Sequence, residues 1–312
     1  MYFVYSVTGD FQSKVLSAEA DLLLQTYNSF VPDCIVNFCP TGMVPTSRET
    51  PHVPVQVHQI VEEVHAAYEV GITIAHLHAR NADESPTSNP EVYRAIMEGI
   101  RKHCPDLLLC LTTSGRNAKT FEERSAVIEL QPDLCSLTLS SLNFLQQASV
   151  NAPDMIQALA EKMVKYGVHP ELECFDMGMI NYGKYLIDKK LIQGPFYWNL
   201  LFGNIAGMQA ELTQMGNAIR EINSHSAVPH FIALGGIGAN QLRVNAIAIA
   251  AGYGVRVGLE DNTWFDRDRS ISASNLALLQ RIHQLLGLHE RKVMPSRVLG
   301  EKGFYNHVLH TR

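Results

Sequence analysis

The 312-residue sequence predicts a single (β/α)8 TIM barrel, the α/β architecture in which parallel strands close on themselves inside a ring of helices. Three observations predict it. From Cys34 onward, eight short apolar runs alternate strictly with eight longer amphipathic ones. The first strand leads into Pro40-Thr41-Gly42-Met43, which lacks the Gly-rich dinucleotide turn of an open doubly wound sheet. No Pro/Gly/Ser-rich linker, charge run or low-complexity stretch divides the chain.

In order, the first strand is expected over Cys34–Cys39 and the first helix over Val57–Glu69. Ile72–His78 follows as the second strand. Its helix, Glu91–His103, is preceded by Ser88-Asn89-Pro90, a polar cap and an early proline suited to a first turn. Leu107–Thr112 pairs with the helix Phe121–Leu130, and Leu134–Thr138 with Asp154–Tyr166, which Ala152-Pro153 introduces. Glu171–Phe175, Tyr197–Phe202, His230–Leu234 and Val255–Leu259 complete the strands. Ile180–Lys189, Met208–Glu221, Gln241–Ala251 and Ser274–Leu286 complete the helices. The barrel is placed at 34–290, with an N-terminal extension at 1–33 and a C-terminal tail at 291–312, both read as decorations used in subunit contacts.

Composition narrows the function. With 46% hydrophobic residues the chain has the apolar content for a large core, which excludes disorder. A net charge of −6 without a basic stretch argues against nucleic acid as partner. No apolar run reaches the roughly 18 residues of a membrane span, and the N-terminus lacks the basic start and apolar block of a signal peptide. The six cysteines show no paired zinc spacing and read as reduced core residues. A cytoplasmic location is expected.

The sharpest chemical feature is His76-Leu77-His78 at the end of the second strand. Residues i and i+2 of a strand point to one side, so both imidazoles enter the barrel at its C-terminal mouth, where active sites form. Two convergent histidines suit zinc or another borderline divalent metal. At the end of the last strand, alternation puts Arg256, Gly258 and Glu260 on one face. Strands two and eight both flank strand one, so Glu260 can approach the histidines and complete a two-His, one-carboxylate site with an open position. Asp261 then stands beside the metal as a possible base, and Gly258 leaves room for substrate. An Arg256–Glu260 ion pair without metal fits the spacing equally well. Thr112 to Arg116 and Thr138 to Asn143 offer hydroxyls and an amide at the mouth, as ordinary loops also do. Gly235-Gly236-Ile237-Gly238 follows strand seven, where barrels often hold phosphate, though such glycines also serve tight turns. Glu171 and Glu173 can face inward, one of them as a hydrogen-bonding support of the core, and neither is assigned a catalytic role. No Ser/His/Asp order and no reactive-cysteine motif stands out.

Taken together, these motifs resemble the β-keto acid cleavage enzyme family. The matching stretches are Asn37-Phe38-Cys39-Pro40-Thr41-Gly42, His76-Leu77-His78-Ala79-Arg80, Thr112-Thr113-Ser114-Gly115, Pro170 to Asp176, Leu234 to Gly238 and Val257 to Asn262, in the family's order. The resemblance implies a zinc-dependent barrel that condenses a β-keto acid with acetyl-CoA, giving acetoacetate and a new acyl-CoA. It places the metal on His76, His78 and Glu260, the general base on Asp261, and Arg256 beside it as the orienting group. Thr112 and Thr138 match the family's substrate-binding hydroxyls. A homotetramer is also implied. The family's first loop can carry an acid just after Thr-Gly, suited to a substrate amine. Met43 and Val44 stand there instead, which favours a neutral or apolar side chain on the keto acid.

Two other classes compete. A metal-dependent barrel hydrolase of a small amide or lactone also uses His-x-His and a last-strand carboxylate, but it normally adds His or Lys ligands at middle strand ends. Here those ends carry Thr138, Phe175 and Phe202. A barrel that merely binds CoA or phosphate would not need Asp261 and Arg256 beside a complete ligand set.

Overall fold

The computed structural model describes residues 32–225 and 229–306. Residues 1–31 of the expected N-terminal extension and 307–312 of the expected tail lie outside them. The strands are β1 Val36–Phe38, β2 Ile74–Leu77, β3 Leu108–Leu111, β4 Leu134–Thr138, β5 His169–Cys174, β6 Phe196–Phe202, β7 His230–Gly236 and β8 Gly254–Val257. Each pairs in parallel with its neighbours in the chain, and β1 closes the ring by pairing Asn37 with Arg256 and with Ile74. The barrel is therefore closed, as alternation requires.

Between the strands lie α1 Val57–Val70, α2 Pro90–Arg101, α3 Phe121–Ser125, α4 Pro153–Tyr166, α5 Met177–Asp188, α6 Leu212–Asn223 and α7 Gln241–Ala250; α8 Asn275–Leu288 follows β8. The start of α2 is as the sequence suggests: Glu91 N–H donates to the Asn89 side chain at 3.0 Å, with Pro90 at the first helical position. α4 ends on Gly167, whose φ of 69° suits a left-handed cap. Three helices differ from expectation. α5 starts at Met177 rather than Ile180, because the Asp176 side chain caps it by accepting from Met179 N–H. α3 runs only to Ser125 and tightens into a 3-10 segment, Ala126–Leu130. α6 starts at Leu212 rather than Met208. The Met208 N–H is held by Phe175 O at 2.7 Å and its carbonyl by Gly203 N–H at 2.8 Å, so it belongs to the mouth loops.

Strand alternation sorts the side chains into two cores. Val36, Phe38, Ala75, Leu77, Leu109 and Leu111 face the helices. Ile35, Ile74, Leu108, Leu134, Tyr197 and Ala233 fill the lower barrel. Above this apolar layer the interior turns polar, with Asn37, His76, Glu171, Asn199 and Arg256 all buried. Such a layer costs desolvation unless every group is partnered, and it marks where chemistry belongs.

The described part of the C-terminal segment forms the barrel's floor. Val293 bridges Cys34 in parallel, with Cys34 N–H on Lys292 O at 2.7 Å and Met294 N–H on Cys34 O at 2.8 Å. Met294, Leu299 and Phe304 then pack against the lower interior layer. The Ser296 hydroxyl accepts from Leu108 N–H at 2.7 Å and donates to Thr73 O.

Gly258 answers a different need from the one the sequence suggested. Its φ is +155°, and a Cβ there would lie 2.0 Å from the carbonyl oxygen of Cys39. The glycine lets the end of β8 pass against the end of β1; it does not widen the substrate space. Gly258→Ala is expected to destabilise the protein by roughly 2–4 kcal/mol, because the clashing atom is backbone. Urea unfolding should show this as a lower midpoint at an unchanged slope.

Candidate active site

His76 sits on β2 and His78 one residue beyond it, and alternation turns both inward. Their Nε2 atoms stand 3.2 Å apart. Glu171 on β5 fixes the first ring, its Oε2 lying 2.6 Å from His76 Nδ1. That carboxylate is fully occupied: Oε1 accepts from Asn37 Nδ2 at 2.6 Å and Asn199 Nδ2 at 3.0 Å, and Oε2 from the Cys110 thiol at 3.2 Å. Burial opposes charge on both partners, yet their mutual attraction wins. His76 is lifted to about 9 and Glu171 held down to about 2. With Nδ1 committed, His76 presents Nε2 to the mouth.

Glu260 arrives by a turn, not by strand alternation. β8 ends at Val257, and the N–H groups of Asp261 and Asn262 both fold back onto Gly258 O at 3.3 Å. Glu260 Oε1 thereby lies 3.2 Å from His78 Nε2, 3.8 Å from His76 Nε2 and 2.7 Å from Arg256 Nη2. Arg256 and the two histidines outweigh burial and keep Glu260 well below the usual carboxylate range. Gly42, with φ +64°, lies against it, where a Cβ would come within 2.6 Å of its Cγ. Arg80 holds that loop through Gly42 O at 2.9 Å and Pro45 O at 3.0 Å.

Arg256 is shared. Its Nε donates to Asp261 Oδ2 at 2.8 Å while Nη2 serves Glu260, and Nη1 lies 4.0 Å from Glu173. The Cys39 thiol gives Asp261 Oδ2 a second donor at 3.4 Å. Burial pushes the Asp261 carboxyl above its usual range despite the guanidinium beside it. Glu173 is likewise raised by burial and by the charge of Glu171, and it accepts from Thr138 Oγ1 at 2.7 Å. The ion pair and the His–Glu cluster, alternatives on spacing alone, are both present.

A cavity of about 570 Å³ opens above these groups. His78, Thr112, Thr138, Arg256, Glu260 and Asp261 all line it, with His76 behind them. Every site residue expected from the sequence is thus gathered at one mouth. The glycine-rich turn after β7, open in sequence to a phosphate site or a tight turn, is closely packed at two of its glycines. A Cβ on Gly235 would meet Arg256 and Leu201 at 3.1 Å, and one on Gly236 the Asn240 carbonyl at 2.5 Å. These two glycines make room for Arg256 and for the close start of α7.

The residues 33–298 match the family profile described as beta-keto acid cleavage enzyme. The chain belongs to the β-keto acid cleavage enzyme family. It is similar to the 3-oxoadipate:acetyl-CoA acetyltransferase of Cupriavidus necator, 33% identical over 260 residues that cover 83% of this chain and 90% of that one. It is also similar to the 3-keto-5-aminohexanoate cleavage enzyme of Acetoanaerobium sticklandii, 34% identical over 245 residues, 78% of this chain and 88% of that one. Among solved structures, apo ObcA shares the fold with a TM-score of 0.74 at 18% identity; the alignment covers 82% of this chain and 66% of that one. The relatives lend no support to the hydrolase reading, and a binding barrel without activity is excluded by membership of an enzyme family.

For this β-keto acid cleavage enzyme family member, the sequence reading left three contributors without a stated role in the site. In the sequence Glu171 reads as a support of the core; its signal is the Glu171-Leu172-Glu173 alternation, the same two-residue spacing as the histidines. Cys39 looked like a core cysteine, and nothing local points its thiol at Asp261. Arg116 belongs to a loop, where no periodicity tells a side chain's direction. Among the described residues, no helix is long and apolar enough to cross a membrane.

Proposed function

We propose that this enzyme condenses a β-keto acid with acetyl-CoA to give acetoacetate and a new acyl-CoA, with zinc held by His76, His78 and Glu260. The observation that carries the reading is this ligand cluster, open to the cavity, with Asp261 beside it on the same turn. One nitrogen or oxygen from each of the three residues lies within 4.8 Å of the others. Among the described residues, Glu260 Oε2 is buried without a hydrogen-bond partner, as an oxygen awaiting a cation is. Glu171 behind His76 supplies the carboxylate that orients a zinc-binding imidazole. A second grouping of His76, Cys110 and Glu171 fits a metal less well, since burial keeps the Cys110 thiol protonated and Glu171 is already occupied. Names of similar proteins, such as the Cupriavidus necator acetyltransferase, carry acetyl-CoA as reactant.

Zinc at this position would act as a Lewis acid toward the keto and carboxylate oxygens of the substrate. Asp261 takes the proton from C2 of the keto acid. Arg256 holds Asp261 by its Nε and faces the site with its remaining donors, so the base is oriented before substrate arrives. Thr112 and Thr138 place hydroxyls on the cavity wall within reach of substrate oxygens. The deprotonated C2 bonds to the acetyl carbon as the CoA thiolate leaves. That thiolate adds at C3, the C2–C3 bond breaks, and Asp261 returns its proton to C2, releasing acetoacetate and the new acyl-CoA. The thiolate is the nucleophile, so the chain needs none of its own.

The test is metal analysis of the purified protein together with acetoacetate release from acetyl-CoA and a panel of β-keto acids. About one zinc per chain is expected, with turnover lost on chelation and restored by zinc. Protein free of metal yet active would overturn the ligand assignment. Zinc-loaded protein inert toward every keto acid would overturn the reaction.

A further inference from the structure

Arg116 stands in the loop after β3 and lines the same cavity as Asp261 and Glu260. Its guanidinium carbon lies 3.3 Å from the centroid of the Phe144 ring. Among the described residues no carboxylate comes within ion-pair distance of it, and its hydrogen bonds run through its backbone, to Ser114 Oγ at 3.4 Å and from Lys119 Nζ at 2.8 Å. Arg256, the other arginine lining this cavity among the described residues, gives Nη2 to Glu260 and Nε to Asp261 and keeps only Nη1, 4.0 Å from Glu173.

A guanidinium stacked on a ring spends its face and keeps its N–H groups, which radiate in its plane, available for a planar anion. Phe144 is itself fixed. Its N–H donates to Gln147 O at 2.9 Å and its ring meets Phe175 edge-on at 5.6 Å. Burial disfavours the charge, and Glu260, Glu173 and Asp261 favour it only from beyond ion-pair distance, so an anion in direct contact is worth more here than on the surface. Met43 and Val44, on the same wall, add no further acid to Glu173, Glu260 and Asp261.

We propose that Arg116 is a specificity residue and that the substrate is a β-keto acid bearing a second carboxylate at its far end, held by this guanidinium. The inference rests on the β-keto acid reading above and names the substrate class within it. It replaces the neutral or apolar side chain that Met43 and Val44 suggest in the sequence. A phosphate of CoA offers the same anionic chemistry, so the experiment separates the two sources.

The probes are 3-oxoadipate, its shorter and longer homologous diacids, and the distal methyl ester of each. Both turnover with acetyl-CoA and binding by calorimetry without it are measured on the zinc-loaded protein. At least one diacid is expected to exceed its ester by about 30–100-fold in kcat/KM and in affinity. Arg116→Met should collapse that ratio toward one, and Arg116→Lys should restore part of it. If diacids and esters bind equally in the wild-type protein, the proposal is wrong whatever the turnover. If the ratio survives in Arg116→Met while KM for acetyl-CoA rises, Arg116 serves the CoA phosphate and the proposal again falls. Arg116-dependent diacid binding without any acetoacetate would leave the recognition standing and sink the reaction reading instead.

Discussion

Asp261→Asn is expected to lower kcat for acetoacetate formation by about 10²–10⁴-fold while the zinc content stays as in the wild type. An amide fills the same space and can still accept from Arg256 Nε, now 2.8 Å from the carboxylate, but it cannot take a proton from carbon. Glu260 keeps its own contact with Arg256 at 2.7 Å, so the ligand cluster loses little. The loss should fall on kcat rather than KM, because proton transfer and not ground-state binding is removed. Glu173 is the other carboxylate on the cavity wall, likewise raised by burial. A loss smaller than about tenfold would transfer the base to Glu173.

The second large effect concerns the metal and separates direct ligands from their support. His78→Ala and Glu260→Gln each remove one of three donors, and zinc retained after dialysis should drop from about one per chain toward none. Turnover should vanish with it. Glu171→Gln removes no donor. It replaces an acceptor-only group with an amide whose NH2 confronts either the donors of Asn37 and Asn199 or those of Cys110 and His76, so the fixed orientation of His76 is weakened. Zinc affinity should therefore weaken by about 10–100-fold, readable by competition with a chromogenic chelator. Equal zinc loss in all three variants would place Glu171 among the ligands. No loss in any would remove the metal from this site.

The barrel was legible because its signals are local and repeated. A buried parallel strand such as Leu108–Leu111 is apolar at every position, and helices such as α2 announce their start with Asn89-Pro90. Strand alternation likewise told where His76, His78 and Arg256 point. It failed at Glu260, which reaches the histidines only because the chain turns at Gly258. The face was right, the route wrong. Contacts between separate strands and loops left no trace along the chain: Cys39 on Asp261, Asn37 on Glu171, and the ring of Phe144 beneath Arg116 each join segments distant in sequence. Alternation along one strand carries no information about them.

The floor built by Lys292 to Phe304 has a consequence for the order in which the protein is made. Every strand has been synthesised before Met294, Leu299 and Phe304 exist to cover Ile35, Ile74 and Leu108. Until then, the lower core stands open to water and to other nascent chains, and the first strand lacks the Lys292 carbonyl that its Cys34 N–H will bond. Assembly of the domain is thus tied to one of its latest-synthesised stretches. A ribosome stalled just before that stretch would hold eight strands and no finished core.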